Sequence, residues 1–342
     1  MGLNIREIAK LAGVSPTTVS FVINNKKGVS EETRAKVKML IAEKGYVRRK
    51  SVNRHAVPAT VCIIKYNDGH KNYEFESLII DRLNDVCNQM GMQTYMLVCD
   101  RSNFTSTLHN VVQMQYGGIL LIGTYLQAEQ IAQLKYHEIS GRPLVVLDNA
   151  MANTNISSVS VSSREIGQIA VQYLYCRGMR KIEYLSSGSG TNKSKMLKQG
   201  YTEAVVSMGL DELPAIELGS ATIADAYAEM KAWLNRENVL PQAFLVENGT
   251  IALGTMRALQ EMKIRVPEDV SIISCEDLLF GGFSSPALSA FSCSYDNICK
   301  MAVRNLVEIM NENNINRTAV HMMLTGKLIE RESVKLTSTV KE

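Results

Sequence analysis

Gly13-Val14-Ser15-Pro16-Thr17-Thr18-Val19-Ser20 is the segment whose residue types and spacing point most directly to chemistry. A glycine that breaks a helical pattern, a serine placed as a cap and a proline after it are the start signals of a second helix. That helix presents small polar side chains at its exposed beginning. Such a helix-turn-helix can lower side chains onto base edges in the major groove of DNA. The same residues would also suit an ordinary helical hairpin, and charge argues between the two. Residues 1–58 hold twelve Lys or Arg against four Glu, a net of +8, whereas the remainder holds 25 basic and 30 acidic groups, a net of −5. A short basic head on a longer, mildly acidic body is what a nucleic-acid-binding module joined to something else looks like.

Other chemistries find little support. The seven cysteines (Cys62, Cys87, Cys99, Cys176, Cys275, Cys293 and Cys299) form an odd number without a C-x-x-C pair. Most sit in apolar strand or helix patterns and read as buried free thiols in a reducing compartment. The five histidines show no ligand spacing, so neither a metal nor a cofactor is expected. Ser187-Gly188-Ser189-Gly190 is a Gly-rich turn without the Lys-Ser/Thr that completes a phosphate loop, and it reads as a flexible cleft-rim loop. No nucleophile motif or paired-carboxylate context appears, so no catalytic residue is assigned and the chain is not expected to be an enzyme. The longest apolar runs, such as Gly118–Gly123 and Leu144–Leu147, are strand-length and too short to span a membrane. The opening MGLNIREIAK has no apolar core of the signal-peptide kind, so the expected location is the cytoplasm.

The elements that must position these residues can be read from periodicity. Residues 3–45 form a run of three helices. Ile5, Ile8, Ala9, Leu11 and Ala12 bury the first, Val19, Val22 and Ile23 the second, and Val37, Leu40 and Ile41 the third, which Ser30 caps. Residues 47–59, VRRKSVNRHAVPA, are basic, lack an apolar face and read as a hinge. From residue 60, candidate strands at 60–66, 92–98, 117–123, 143–148, 156–161, 180–185, 242–247 and 269–275 alternate with candidate helices. The helices are expected at 74–90, 103–115, 127–138, 163–178, 194–208, 223–236, 250–263 and 297–313. Regular alternation implies an α/β body of doubly wound parallel sheets, and its length implies two lobes with a cleft at the carboxyl ends of the strands.

The run NIREIAKLAGVSPTTVSFVINNKKGVSEETRAKVKMLIAEKGY resembles the DNA-binding head of the lactose-repressor family of bacterial transcription regulators. Ile264-Arg265-Val266-Pro267-Glu268-Asp269-Val270-Ser271 resembles that family's patterned V-P-x-D run. The resemblance covers essentially the whole chain. It implies a helix-turn-helix domain at 1–46, a hinge at 47–59 and a periplasmic-binding-protein-like body of type I at 60–342. Lobe 1 would comprise about 60–156 and 287–318, and lobe 2 about 157–286 and 319–335. It further implies a homodimeric repressor that binds double-stranded operator DNA and responds to a small-molecule effector, with a carbohydrate derivative among the candidates, and with no membrane partner. Base-edge contacts would come from Pro16, Thr17 and Phe21. Phosphate contacts would come from the Ile5 backbone, Ser15, Thr18, Ser20, Asn24, Ser30 and Thr33.

Two regions depart from the family pattern. Relatives usually follow the Tyr with Pro-Asn and later place a Leu wedge; here Tyr46 is followed by Val47, Arg48 and Arg49, and His55 stands at the wedge position. Arginines there favour phosphate and narrow-minor-groove contact. In the cleft, Gly249 replaces a sugar-clamping Asp, Leu197 replaces an Arg, and Ser162 begins the pair that stands for Asp-Asn. Phe75, Asp148 and Glu276 remain as candidate ligand contacts. Loss of both charged clamps argues against an ordinary monosaccharide. Two rivals carry other functions: a solute-binding protein that does not touch DNA, which leaves the basic head unexplained, and an α/β enzyme, for which no nucleophile is assignable.

Overall fold

The computed structural model describes residues 5–23, 28–43, 60–67, 69, 73–114, 116–136, 139, 142–219, 222–236, 239–278, 280–311 and 318–336. Two compact units divide at Val57/Pro58, inside the 47–59 stretch.

The head is three helices, α1 Ile5–Ala12, α2 Pro16–Ile23 and α3 Glu31–Glu43. Gly13 at φ +69° makes the left-handed turn between the first two, a backbone state that glycine adopts without steric cost. Ser15 caps α2, its Oγ accepting the Thr18 N–H at 3.0 Å, and Ser30 caps α3 by accepting the Thr33 N–H at 3.3 Å. Ala9, Ala12, Val19, Val22 and Val37 form the core, with Val14, Val29 and Leu40 packed at its margin. Leu11 departs from expectation: it is 53% exposed, because the small core is filled by Ala9 and Ala12 on the other side of α1. The side chains of Ile5, Ile8, Ile23 and Ile41 lie outside the described residues.

The first lobe of the body is a six-stranded sheet ordered β11-β5-β4-β3-β1-β2, all of it parallel. Its strands are β1 Thr60–Tyr66, β2 Gln93–Cys99, β3 Gly118–Ile122, β4 Leu144–Leu147, β5 Ser157–Val161 and β11 His321–Leu324. β3, β4 and β5 are buried at every position because helices cover both faces. α4 Tyr73–Gln89 and α11 Tyr295–Asn311 pack one face; α5 Phe104–Gln113 and α6 Ala128–Tyr136 pack the other.

The second lobe repeats the plan with order β12-β10-β9-β8-β6-β7. Its strands are β6 Ile182–Ser186, β7 Ile216–Glu217, β8 Ala243–Val246, β9 Ser271–Ser274, β10 Ser289–Ser292 and β12 Lys327–Ile329. α7 Ser163–Cys176 and α8 Asn192–Ser207 cover one face, and α9 Ile223–Leu234 and α10 Gly249–Glu261 the other. β12 runs antiparallel to β10, so this sheet is mixed at one edge and not wholly parallel as expected.

The expected lobe boundaries need correction. β5 belongs to the first sheet, so the first crossing falls after residue 161 and not at 156. β10 belongs to the second sheet, which moves the next crossing from 286 to the turn between Ser292 and Tyr295. β11 returns to the first sheet and β12 to the second. Periodicity missed β7, β10, β11 and β12 because each is only two to four residues long and they are held by backbone pairing rather than by an apolar run of their own. A single apolar cluster, from Val61 and Ile79 through Val161 and Ile166 to Leu245 and Phe291, runs beneath both lobes.

Candidate nucleic-acid interface and candidate ligand cleft

In the head, the burial of Val19 and Val22 turns the opposite side of α2 outward. Ser15, Pro16 and Thr17 are exposed there, and Thr18 and Phe21 are half-buried. The Ser15 and Thr18 hydroxyls lie 2.9 Å apart, and Ser30 Oγ donates to Thr33 Oγ1 at 2.9 Å. These four hydroxyls therefore shape the helix starts, whatever else they touch. Ile5 lies in the first turn of α1. Asn24, Arg48, Arg49 and His55 lie outside the described residues, as do the side chains of Ser20 and Phe75.

In the body, a cavity of about 520 Å³ lies at the carboxyl ends of β4, β5 and β11, facing the first turns of α7 and α8. Asp148, Ser160, Ser162, Asn192 and Lys193 line it, with Val161, Met196 and Met323 as apolar wall. Asp148 follows β4 at φ +57°, a conformation that Asp tolerates better than most residues. Its side chain is 1% exposed, and Thr124 Oγ1 donates to Oδ2 at 2.9 Å.

Lys193, from α8 of the second lobe, reaches Asp148 of the first at 3.9 Å and Glu276, which follows β9, at 3.4 Å. Tyr295, at the start of α11, donates to Glu276 Oε1 at 2.9 Å. Asn192 Nδ2 donates to the Ala150 carbonyl at 3.0 Å and to Asn149 Oδ1 at 3.2 Å. The two lobes are thus tied across the cleft by the chain's own side chains. Burial pushes the Asp148 carboxyl up, opposed by Lys193 and reinforced by Glu276. Burial alone would lower the Lys193 ammonium, but Asp148 and Glu276 together raise it above its ordinary value. Nearby Cys293 is pushed up to about 12 by burial, so it is a neutral thiol without the thiolate a nucleophile needs. A second cavity of about 700 Å³ lies beyond Glu276 and Tyr295, walled by Leu78, Leu278 and Phe283.

Of the sequence-predicted cleft residues, Asp148, Ser162 and Glu276 border these cavities. Two do not. Leu197 is buried in the core with Tyr201 and Ile166, because its position on α8 faces α7 and not the cleft. Gly249 is packed against Leu278: a Cβ there would lie 2.4 Å from Leu278 Cγ, so a side chain at 249 requires Leu278 to shift. The expected loss of both charged clamps holds at those two positions only; Lys193, one helical turn before Leu197, supplies a cation that sequence reasoning missed. The signal available was Thr191 as an N-cap, which places residue 193 in the first turn of a helix.

The Ser187–Gly190 loop also differs from expectation. Glu247 accepts hydrogen bonds from Ser186 Oγ, the Ser187 N–H and hydroxyl, and Ser194 Oγ, at 2.6–3.0 Å. The loop is pinned at its root by a carboxylate and is not a loose rim.

Residues 4–49 match the family described as "Bacterial regulatory proteins, lacI family", and residues 171–334 match a "Periplasmic binding protein-like domain". The chain is 29% identical over 336 residues to the HTH-type transcriptional repressor PurR of Pasteurella multocida, covering 97% of this chain and 98% of that one. It is 26% identical over 339 residues to the probable HTH-type transcriptional repressor ExuR of Bacillus subtilis, covering 98% and 100%. Among solved structures, the lac repressor dimer bound to operator and an anti-inducer aligns with a TM-score of 0.71 at 21% identity, over 97% of this chain and 99% of that one. A complex of the regulator CelR with cellobiose aligns at 0.68 and 23%, over the same shares. No helix among the described residues is long and apolar enough to cross a membrane.

Proposed function

The chain belongs to the lacI family of bacterial regulatory proteins, and from that premise we propose that it is a homodimeric, sequence-specific repressor whose body senses a small molecule. The observation that carries the reading is the outward start of α2 within an N-terminal stretch, residues 1–58, of net charge +8. Ser15, Pro16 and Thr17 are free to meet a groove because Val19 and Val22 hold the helix from behind. Thr17 reads a base edge; Phe21 packs on a thymine methyl, since a phenyl ring offers no bidentate contact to guanine. Arg48 and Arg49 grip phosphates, and His55 stands at the minor-groove wedge position.

The effector site is the inter-lobe cleft around Asp148, Ser162 and Glu276, and the protein acts in the cytoplasm, where its operator is. A ligand that favours one lobe arrangement shifts the spacing of two heads in a dimer. Edge strand β2 supports pairing with a second copy: among the described residues it pairs only with β1, and it exposes Tyr95, Met96 and Val98.

DNA binding measured against salt tests the proposal. Affinity should fall steeply with salt because phosphate neutralisation dominates it. Deleting residues 1–58 should abolish binding and leave a folded body. Thr17→Ala should relax preference at one operator position, at a cost of about 1–3 kcal/mol, and spare non-specific binding. Retained DNA binding by residues 59–342 would overturn the assignment.

A further inference from the structure

The cavity beside Asp148 has an unmet demand. Two buried polar atoms that border it have no hydrogen-bond partner: Asp148 Oδ1 and Ser160 Oγ. A desolvated carboxylate oxygen without a donor is costly, and the charged oxygen is the more expensive of the two. Something that donates hydrogen bonds would satisfy both.

The charges around the cavity say what kind of donor. Asp148 and Glu165 are its two acids, and Glu276 stands behind Lys193. Lys193 is shared between Asp148 and Glu276, one cation against two anions. Arg164 is held by Glu203 through two contacts at 2.7 Å, so its charge is already answered. The site is therefore net negative. Two helix N-termini face it and would favour an anion, but Glu165 sits in the first turn of α7, and Thr191 accepts the Ser194 N–H at the start of α8. A carboxylate or phosphate placed here would meet Asp148 at close range in a desolvated site, where like charges repel strongly. Val161, Met196 and Met323 offer a carbon skeleton its contact surface, and about 520 Å³ suits a small molecule.

We infer that this cavity takes a small ligand bearing a protonated amino group, which donates to Asp148 Oδ1 and Ser160 Oγ, and that it rejects acidic ligands. The inference rests on the reading of the cleft as the effector site. It places the ligand's nitrogen on the first lobe, beside the Lys193 bridge to the second. Ligand and bridge then share Asp148, one at each oxygen.

The test is calorimetry on the full chain with two matched sets: glucosamine, glucose and glucuronate, and putrescine, 1,4-butanediol and succinate. The amine of at least one set should bind about tenfold or more tightly than its neutral counterpart, because a charge-assisted hydrogen bond exceeds a neutral one, and neither acid should bind. Asp148→Asn keeps the shape and the left-handed backbone preference; it should erase the amine's advantage, and Ser160→Ala should weaken the amine alone. An acid binding as tightly as the amine, no amine binding at millimolar concentration, or an advantage that survives Asp148→Asn would each overturn the inference. Operator affinity is read in parallel. A neutral or acidic ligand that releases the operator keeps the effector reading and removes the amine; an amine bound through Asp148 without effect on operator affinity does the reverse.

Discussion

Lys193 is the residue on which the cleft turns. It carries one positive charge into the space between Asp148 and Glu276, which otherwise would face each other as buried anions. Lys193→Met keeps most of the volume and removes the charge, so both carboxylates lose their counter-ion. Breaking such a buried arrangement costs about 3–5 kcal/mol when burial is complete; with the lysine side chain 24% exposed, we expect about 1–3 kcal/mol at neutral pH. The pH dependence follows from Asp148, whose carboxyl burial already pushes upward. A carboxyl raised in the folded state contributes stability below its unfolded pKa and loses it as pH rises through the folded value. The deficit of the Lys193→Met protein, measured by thermal unfolding, should therefore be largest at neutral pH and shrink as Asp148 protonates on acidification. A deficit that grew on acidification would show that Lys193 is not held chiefly by Asp148.

Among the elements, the α7–α8 pair is the least tolerant contact. A Cβ on Gly200 would lie 2.0 Å from the Arg164 carbonyl oxygen, and one on Gly167 would lie 2.5 Å from the Leu197 carbonyl oxygen. The two helices meet backbone to backbone at these glycines, and the meeting orients the first turn of α8, from which Asn192 and Lys193 reach across the cleft. Gly200→Ala must push the helices apart, at a cost of about 1–3 kcal/mol. Thermal unfolding should register that loss. Because the shift displaces Lys193 as well, the Gly200→Ala and Lys193→Met deficits should sum to more than the double variant shows. Strict additivity would mean that the helix contact does not position the lysine.

At the scale of the whole molecule, the chain crosses between the lobes three times: after β5, between β10 and α11, and between β11 and β12. One apolar cluster underlies both lobes. The proposed function also needs two heads. Met96 and Val98 project from the same face of edge strand β2, 50% and 55% exposed. Charges introduced there, Met96→Asp with Val98→Asp, should yield a monomer in sedimentation with an unchanged body. Operator affinity should then fall by about a hundredfold or more, because the second head no longer acts at the effective concentration that linkage provides. A variant that remains dimeric would move the interface elsewhere.

Much of this architecture was legible in the residues. Local signals are enough for the head: Gly13 needs no partner to turn, and Ser15 and Ser30 cap helices through atoms three residues away. Eight strands and eight helices of the body follow from apolar periodicity; most bury a face of their own, and β2, with only Cys99 buried, is the exception. The short strands β7, β10, β11 and β12 were not readable because their pairing energy belongs to neighbours distant in the chain. That is also why the lobe boundaries were misplaced. The cleft shows the same division. Asp148 stands at a strand end and Glu276 follows one, positions where ligands are expected in open parallel sheets. Only the tertiary structure brought Lys193 between them, filled the space at Gly249 with Leu278 and turned Leu197 inward. Which face of α8 meets the cleft is set by the glycine contact with α7, a long-range packing fact. Periodicity along one helix gives the angle between residues and leaves the direction of each face to the neighbours that pack against it.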